Sequence, residues 1–257
     1  LVVSETDWPG FVPAVAWAAA AGLGVPTAVH ESNAVPGLTT KMLEGSVDTI
    51  MVGFEESRAN YRHPDRVEVT GTPVRVDFLN PDKAAAKREL GIPEGRPLVV
   101  SVWGSLGASH MNEIMTDFIL RACAKPFFSL IHSAGKAGYS KMSAELGSEK
   151  PDYAKLGMDV RAYIYDMPRV MAAADLVLCR AGASTLAELT AMGKPAILAP
   201  PPTVPNNHQE RNARPLADAR RAQAMPEQEF PAASPLRLAS EPLHHPGLPA
   251  DLSRNMT

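Results

Sequence analysis

Short, largely apolar runs rich in β-branched residues alternate with helical stretches along the chain, and this alternation leaves few folds open. LVV, VPTAVH, VDTIMVGF and RVEVTG come first, interleaved with PAVAWAAAAG and LTTKML. Runs that are apolar at every position belong to strands buried on both faces, and strands joined by crossover helices lie parallel. A second series begins at Leu98 and runs through FFSLIHS, MDVRAYI, DLVLC and PAILAP, with helices predicted near 109–124, 167–174, 185–192 and from Asn207. About five strands with their helices complete a doubly wound unit. The predicted class is α/β, with two doubly wound parallel sheets, the first of them incomplete.

The first block ends near Arg75, which sets an N-terminal unit at 1–77. DFLNPDKAAAKRELGIPEGRP then reads as a linker with one amphipathic helix between turn signals at Asn80-Pro81 and Pro93 to Gly95. The second unit is placed at 78–220. From 221 to 257, Pro226, Pro231, Pro235, Pro242, Pro246 and Pro249 limit any helix to short pieces, so an irregular tail is expected. With 257 residues, 45% of them hydrophobic, the chain can bury a real core. A net charge of -3 and basic runs no longer than Arg220-Arg221 argue against nucleic acid as a partner. Cys123 and Cys179 lie far apart in apolar surroundings, as expected of buried thiols in a reducing, cytoplasmic compartment. No run approaches the ~20 apolar residues of a membrane span, and the first residues lack the basic region and cleavage site expected of a secretory signal. Leu1 already stands in a strand-like run, as in an internal fragment of a longer protein.

Ligands of doubly wound sheets bind at the carboxyl ends of the strands, so the loops there hold the candidate residues. Trp103-Gly104-Ser105-Leu106-Gly107-Ala108 has glycines for a tight turn into a helix start whose free N–H groups suit an anion; Ser105 also suits a plain cap. The spacing is not GxGxxG, which disfavours a nicotinamide dehydrogenase. In CRAGASTLAE, 179–188, Thr185 and Glu188 have capping-box spacing, and on that reading Glu188 only closes a helix start. The alternative is a ligand site, with Ala183, Ser184 and Thr185 donating to a phosphate and Glu188, one turn deeper, accepting from a ribose diol. Asn206, Asn207, His208 and Gln209 follow a proline-stiffened loop; amides suit sugar hydroxyls, and Asn207 also suits an N-cap. HESNAVPG sets His30, Glu31 and Asn33 just past a strand, where polar residues also form turns. HExxH, D-x-D, G-x-S-x-G and GxxxxGK[ST] do not occur, so no metal centre, serine hydrolase or P-loop is indicated.

HESNAVPGLTTKML, VTGTPVR, WGSLGASHMNE, AYIYDM, DLVLCRAGASTLAEL, GKPAILAPPP and NNHQERNA stand in the order and spacing of the MurG glycosyltransferases of family 28, which the chain resembles from about residue 8 to about residue 220. The resemblance implies a GT-B fold of two Rossmann-like domains, the N-terminal one incomplete here, with the sugar donor held mainly by the C-terminal one. It implies transfer of N-acetylglucosamine from UDP-N-acetylglucosamine to lipid I, giving lipid II for peptidoglycan, with inversion and with no metal or cofactor. By that resemblance Ile164 offers its backbone to uracil, Glu188 holds the ribose hydroxyls, and Ser105 with its loop meets the diphosphate. Arg75 brings positive charge to the phosphates from the domain junction, and Asn33 and Gln209 contact the donor sugar. A lipid acceptor implies peripheral contact with the inner face of the bacterial cytoplasmic membrane. Two other functions are compatible with the motifs: a UDP-sugar-binding module that needs a missing N-terminal half, and a UDP-sugar epimerase on the same fold.

The sequence also departs from the family. Its glycine-rich loop ending in histidine, G-G-T-G-G-H, has no counterpart here and His30 is not its equivalent, so no catalytic base is assigned. Trp103 and Leu106 replace glycine and glutamine and are expected to crowd the phosphate loop or strip it of a polar contact. Tyr165 replaces an aspartate. Pro215 falls in the helix after His208-Gln209, where proline costs ~3 kcal/mol or kinks the helix unless it lies near an end.

Overall fold

The computed structural model describes residues 2–5, 19–20, 22–104, 109–148, 152–202, 207–219 and 222–230. The apolar runs become strands of two parallel sheets. The first holds β1 (Val2–Glu5), β2 (Thr27–Glu31), β3 (Thr49–Val52) and β4 (Val67–Val69) in that order, with α1 (Leu38–Leu43) between β2 and β3. All five residues of β2 are buried, and Val29, Ile50 and Val52 meet Leu43, Val47, Tyr61 and Val67 in a small core. The linker helix forms as α2 (Lys83–Glu89), where Asp82 caps the start by accepting from Ala85 N–H at 2.9 Å.

The second sheet contains β5 (Leu98–Val102), β6 (Ser129–Ser133), β7 (Met158–Arg161), β8 (Leu176–Cys179), β9 (Ala196–Leu198) and β10 (Gln223–Ala224), ordered β10-β9-β8-β5-β6-β7 and parallel throughout. Its helices are α3 (Ser109–Cys123), α4 (Lys136–Ser148), α5 (Met167–Ala173), α6 (Ala183–Ala191) and α7 (His208–Asp218). Side chains alternate across the sheet with the strand period of two. Leu98, Val100, Val177 and Leu198 pack in one layer with Leu186 and Leu189, and Val99, Leu130, Leu178 and Ile197 pack in the other with Met111, Met115 and Phe118. The chain builds β5, β6 and β7 in one direction and then returns through α5 to β8 on the other flank of β5. The order therefore reverses beside β5, and a crevice opens there at the carboxyl ends.

Two expectations change, and two of the unusual residues find their places. The sheet has a sixth strand, because Gln223 and Ala224 pair with Ile197 and Leu198. Helix α6 starts at Ala183, two residues before the predicted start, so Thr185 lies inside it rather than capping it. Pro215 is accommodated inside α7, in its last turn. The Trp103 side chain is fully buried in the second layer, edge-on to Phe230 at 5.6 Å, while residues 105–108 of the loop, Leu106 among them, lie outside the described residues.

A buried polar chain anchors Trp103. Its Nε1 donates to Ser101 Oγ (2.8 Å), and that hydroxyl donates to His132 Nδ1 (3.0 Å). His132 Nε2–H donates to Asn112 Oδ1 (3.2 Å), whose Nδ2 donates to the Ala134 carbonyl (2.8 Å). Gly138 makes room, since a Cβ there would run into Asn112 Nδ2. The pattern needs a neutral imidazole, and burial pushes the His132 pKa down to about 3. A depressed histidine pKa means that the unfolded chain takes up the proton first, so stability falls as pH drops from about 6.5 toward 3. Between pH 7 and pH 5 this group alone is expected to remove about 2 kcal/mol from wild type. Urea midpoints at the two pH values check this, and His132→Gln should show a smaller difference between them.

Candidate functional site

The crevice beside β5 is a cavity of about 490 Å3. Val102, Trp103 and Gly104 leave β5 along its floor, and Cys179, Arg180 and Gly182 leave β8. Tyr163 and Ile164 follow β7, Thr185 and Glu188 come from α6, Gln209 comes from α7, and Arg75 and Phe78 reach in from the segment after the first sheet. Five residues singled out in the sequence, Arg75, Ile164, Thr185, Glu188 and Gln209, thus line one cavity. Ala183 and Ser184, in the first turn of α6, do not line it; Ala183 lines a separate pocket with Gly53, Phe54 and Thr72. Ser105 lies outside the described residues.

Each carries an unused capacity. Helix α6 has Gly182 as N-cap with no side-chain cap, and its first intrahelical bond runs from Leu186 N–H to Gly182 carbonyl, so the N–H groups of Ala183, Ser184 and Thr185 have no helical partner. Glu188 takes no hydrogen bond from the described residues, which removes its capping role. Burial raises its pKa, the Arg75 charge works against that rise, and the Asp77 charge adds to it. Arg75 pairs with Asp77 at 3.2 Å and lies over the Phe78 ring at 5.3 Å, leaving most of its side chain exposed to the cavity mouth. Ile164 is buried and its backbone groups are taken by no described residue, whereas Gln209 Oε1 is buried without a partner. Tyr163 at the cavity wall packs on Tyr165, ring centroids 4.8 Å apart, and Tyr165 is 82% exposed. The Cys179 thiol is pushed up to about 12 by burial and by the Glu188 charge, which makes it an inert wall residue.

The profile of the glycosyltransferase family 28 C-terminal domain matches residues 98–241, more than half of the chain and the whole second sheet. The chain belongs to glycosyltransferase family 28. A relative from Acetivibrio thermocellus, a UDP-N-acetylglucosamine:N-acetylmuramyl-(pentapeptide) pyrophosphoryl-undecaprenol N-acetylglucosamine transferase, is 42% identical over 197 residues, which is 77% of this chain and 52% of the relative. The chain spans about half the length of the curated relatives it matches. The crystal structure of MurG from Acinetobacter baumannii superposes with a TM-score of 0.72 at 25% identity, covering 97% of this chain and 67% of that one. A UDP-GlcNAc 2-epimerase from Neisseria meningitidis, bound to UDP-GlcNAc, shares the fold with a TM-score of 0.62 at 15% identity, covering 98% and 70%.

Within this family 28 chain, three arrangements went unread in the sequence. Asn212 of α7 is fully buried and ties the two sheets together: Oδ1 accepts from Ala34 N–H (2.8 Å), and Nδ2 donates to Asn33 Oδ1 (3.0 Å) and to the Ala181 carbonyl (3.2 Å). Asn33 does not line the cavity; its own amide also donates to Glu31 Oε1 (3.1 Å). Glu31 organises the HESN turn, accepting in addition from Asn33 N–H, Gly37 N–H and Thr40 Oγ1. Arg180 pairs with Glu227, a residue of the proline-rich tail. His30 is buried with Nε2 against the Gly71 carbonyl at 2.9 Å, far from a role in the cavity. Asn207 adopts the left-handed conformation (φ 52°) and makes no cap bond; its Nδ2 donates to Glu210 instead. Among the described residues no three His, Cys, Asp or Glu side chains gather as metal ligands, and no helix is long and apolar enough to cross a membrane.

Proposed function

We propose that this chain carries the donor-binding half of an inverting N-acetylglucosaminyltransferase, moving N-acetylglucosamine from UDP-N-acetylglucosamine to the lipid I acceptor at the inner face of the cytoplasmic membrane. The observation that carries the reading is the pairing, in one cavity, of an uncapped helix start with a half-buried, unbonded carboxylate one turn along it. N–H groups suit the diphosphate and the carboxylate suits a ribose diol. The backbone of Ile164, a buried lining residue, then reads the uracil, and the unpartnered Gln209 Oε1 accepts from a sugar hydroxyl. The name of the Acetivibrio thermocellus relative supplies the sugar and the acceptor.

In the reaction the acceptor hydroxyl oxygen attacks the anomeric carbon from the face opposite UDP. The bond from that carbon to the diphosphate oxygen breaks, the electron pair leaves with UDP, and the hydroxyl proton passes to a base. Charge growing on the departing diphosphate is met by the N–H groups of Ala183, Ser184 and Thr185 and by Arg75, so no metal or cofactor is assigned to this step. Neither His30 nor any other described residue is assigned as the base. Asn33, with its amide engaged by Glu31 and Asn212, is assigned to the domain junction.

UDP at about 100 times its dissociation constant should stabilise the chain by roughly 2.7 kcal/mol. A thermal melt reads this directly, and a Tm unmoved by UDP would sink the donor-site assignment. Because the chain spans about half of its relatives, a second reading is a nucleotide-sugar-binding unit without turnover. Transfer to a lipid I analogue by this chain alone decides between the two. The epimerase has only the fold in its favour.

A further inference from the structure

Arg180 follows β8 and lines the cavity, but its guanidinium is held from outside. Nε and Nη2 donate to the two Glu227 oxygens at 3.0 and 3.3 Å in a fork-to-fork pair, and Nη1 donates to the Trp103 carbonyl at 3.4 Å. Glu227 is only 6% exposed. Its segment is fastened on its own account: β10 pairs with β9, Met225 N–H donates to the Leu198 carbonyl (2.9 Å), and Glu227 N–H donates to the Pro200 carbonyl (3.1 Å). Trp103 is therefore gripped twice, at its carbonyl by Arg180 and at its ring by Phe230. The next residue, Gly104, has φ +100°, a conformation that only glycine adopts freely, and it opens the turn at the cavity rim.

We infer that residues 222–230 are a working part of the nucleotide-sugar site, with Glu227 a positioning residue that acts through Arg180 on the phosphate end of the cavity. This rests on the donor-site reading above. A half-buried ion pair is often no better for stability than apolar residues of the same volume, so this one is read as fixing a geometry. Three of the five guanidinium N–H groups are committed to Glu227 and Trp103, which leaves one on each Nη for a ligand phosphate. Without Glu227 the fork is free to swing, and the Trp103 carbonyl loses its donor just before the Gly104 turn.

Isothermal titration of the full chain with UDP and with uridine tests this, because only UDP has the phosphates. Glu227→Gln should weaken UDP binding by roughly tenfold to a hundredfold and change uridine binding little. Arg180→Lys keeps the charge, loses the fork and should show the same UDP-selective loss, so it carries the test if Glu227→Gln does not fold. Unchanged UDP affinity, or a parallel loss for UDP and uridine in a folded variant, overturns the inference. Wild type binding neither ligand overturns the donor-site reading instead, and the inference falls with it.

Discussion

Glu188→Ala is expected to weaken UDP binding by roughly tenfold to a hundredfold, the worth of one or two hydrogen bonds to a charged acceptor. The apo protein should meanwhile keep its Tm or gain slightly. The reason for the second half lies in the direction of the pKa shift. Burial raises the Glu188 pKa, outweighing the Arg75 charge, so folding favours the protonated acid. Its contribution to stability is present below the unfolded pKa and is lost as pH rises through the folded one. At neutral pH the ionised, half-buried carboxylate without hydrogen bonds is a burden on the fold, and a neutral side chain relieves it. A capping carboxylate would behave in the opposite way, because its removal costs about 1 kcal/mol and leaves ligand binding alone. Titration calorimetry and a melt on the same variant separate the two. UDP affinity of wild type should also fall as acid protonates Glu188, and in Glu188→Ala that fall should be smaller, limited to what the UDP phosphate's own protonation causes.

The strands were legible because burial on both faces selects mostly apolar residues: β2, β5, β6 and β8 each coincide with a largely apolar run, and the polar residues buried in them, such as Ser101 and His132, are hydrogen-bonded. Strand β10 was not, since Gln223 and Ala224 are exposed and paired to the β9 edge, a tertiary effect without local pattern. The start of α6 was misplaced for a related reason. Thr185 and Glu188 have the spacing of a capping box, but Gly182 takes the N-cap position and frees Glu188 for the cavity. Gln209, Ile164 and Arg75 could be nominated from motif order, while their meeting required the reversal of strand order beside β5. Glu227 was not singled out. It lies 47 residues beyond Arg180, in a stretch whose prolines suggested irregular structure.

Asn212 was equally silent, one polar residue among many in NNHQERNA, and its removal should have the largest effect on stability. Asn212→Ala leaves Ala34 N–H, Asn33 Oδ1 and the Ala181 carbonyl without their partner in a site closed to solvent. An orphaned buried polar group costs about 1–3 kcal/mol, and relaxation recovers part of the sum, so a loss of about 3–5 kcal/mol in urea denaturation is expected. Asn212→Asp should be no milder, because it replaces both Nδ2 donors with a carboxylate oxygen facing two acceptors. A double-mutant cycle with Asn33→Ala gives the decisive number. Once Asn33 Oδ1 is gone, Asn212→Ala orphans two groups instead of three, so the double variant must be less destabilised than the sum of the singles. Strict additivity would show that the bond from Asn212 to Asn33 contributes nothing to stability. The predicted coupling would show that one amide joins the HESN turn to the residue before Gly182, and so holds both sheets around the donor cavity.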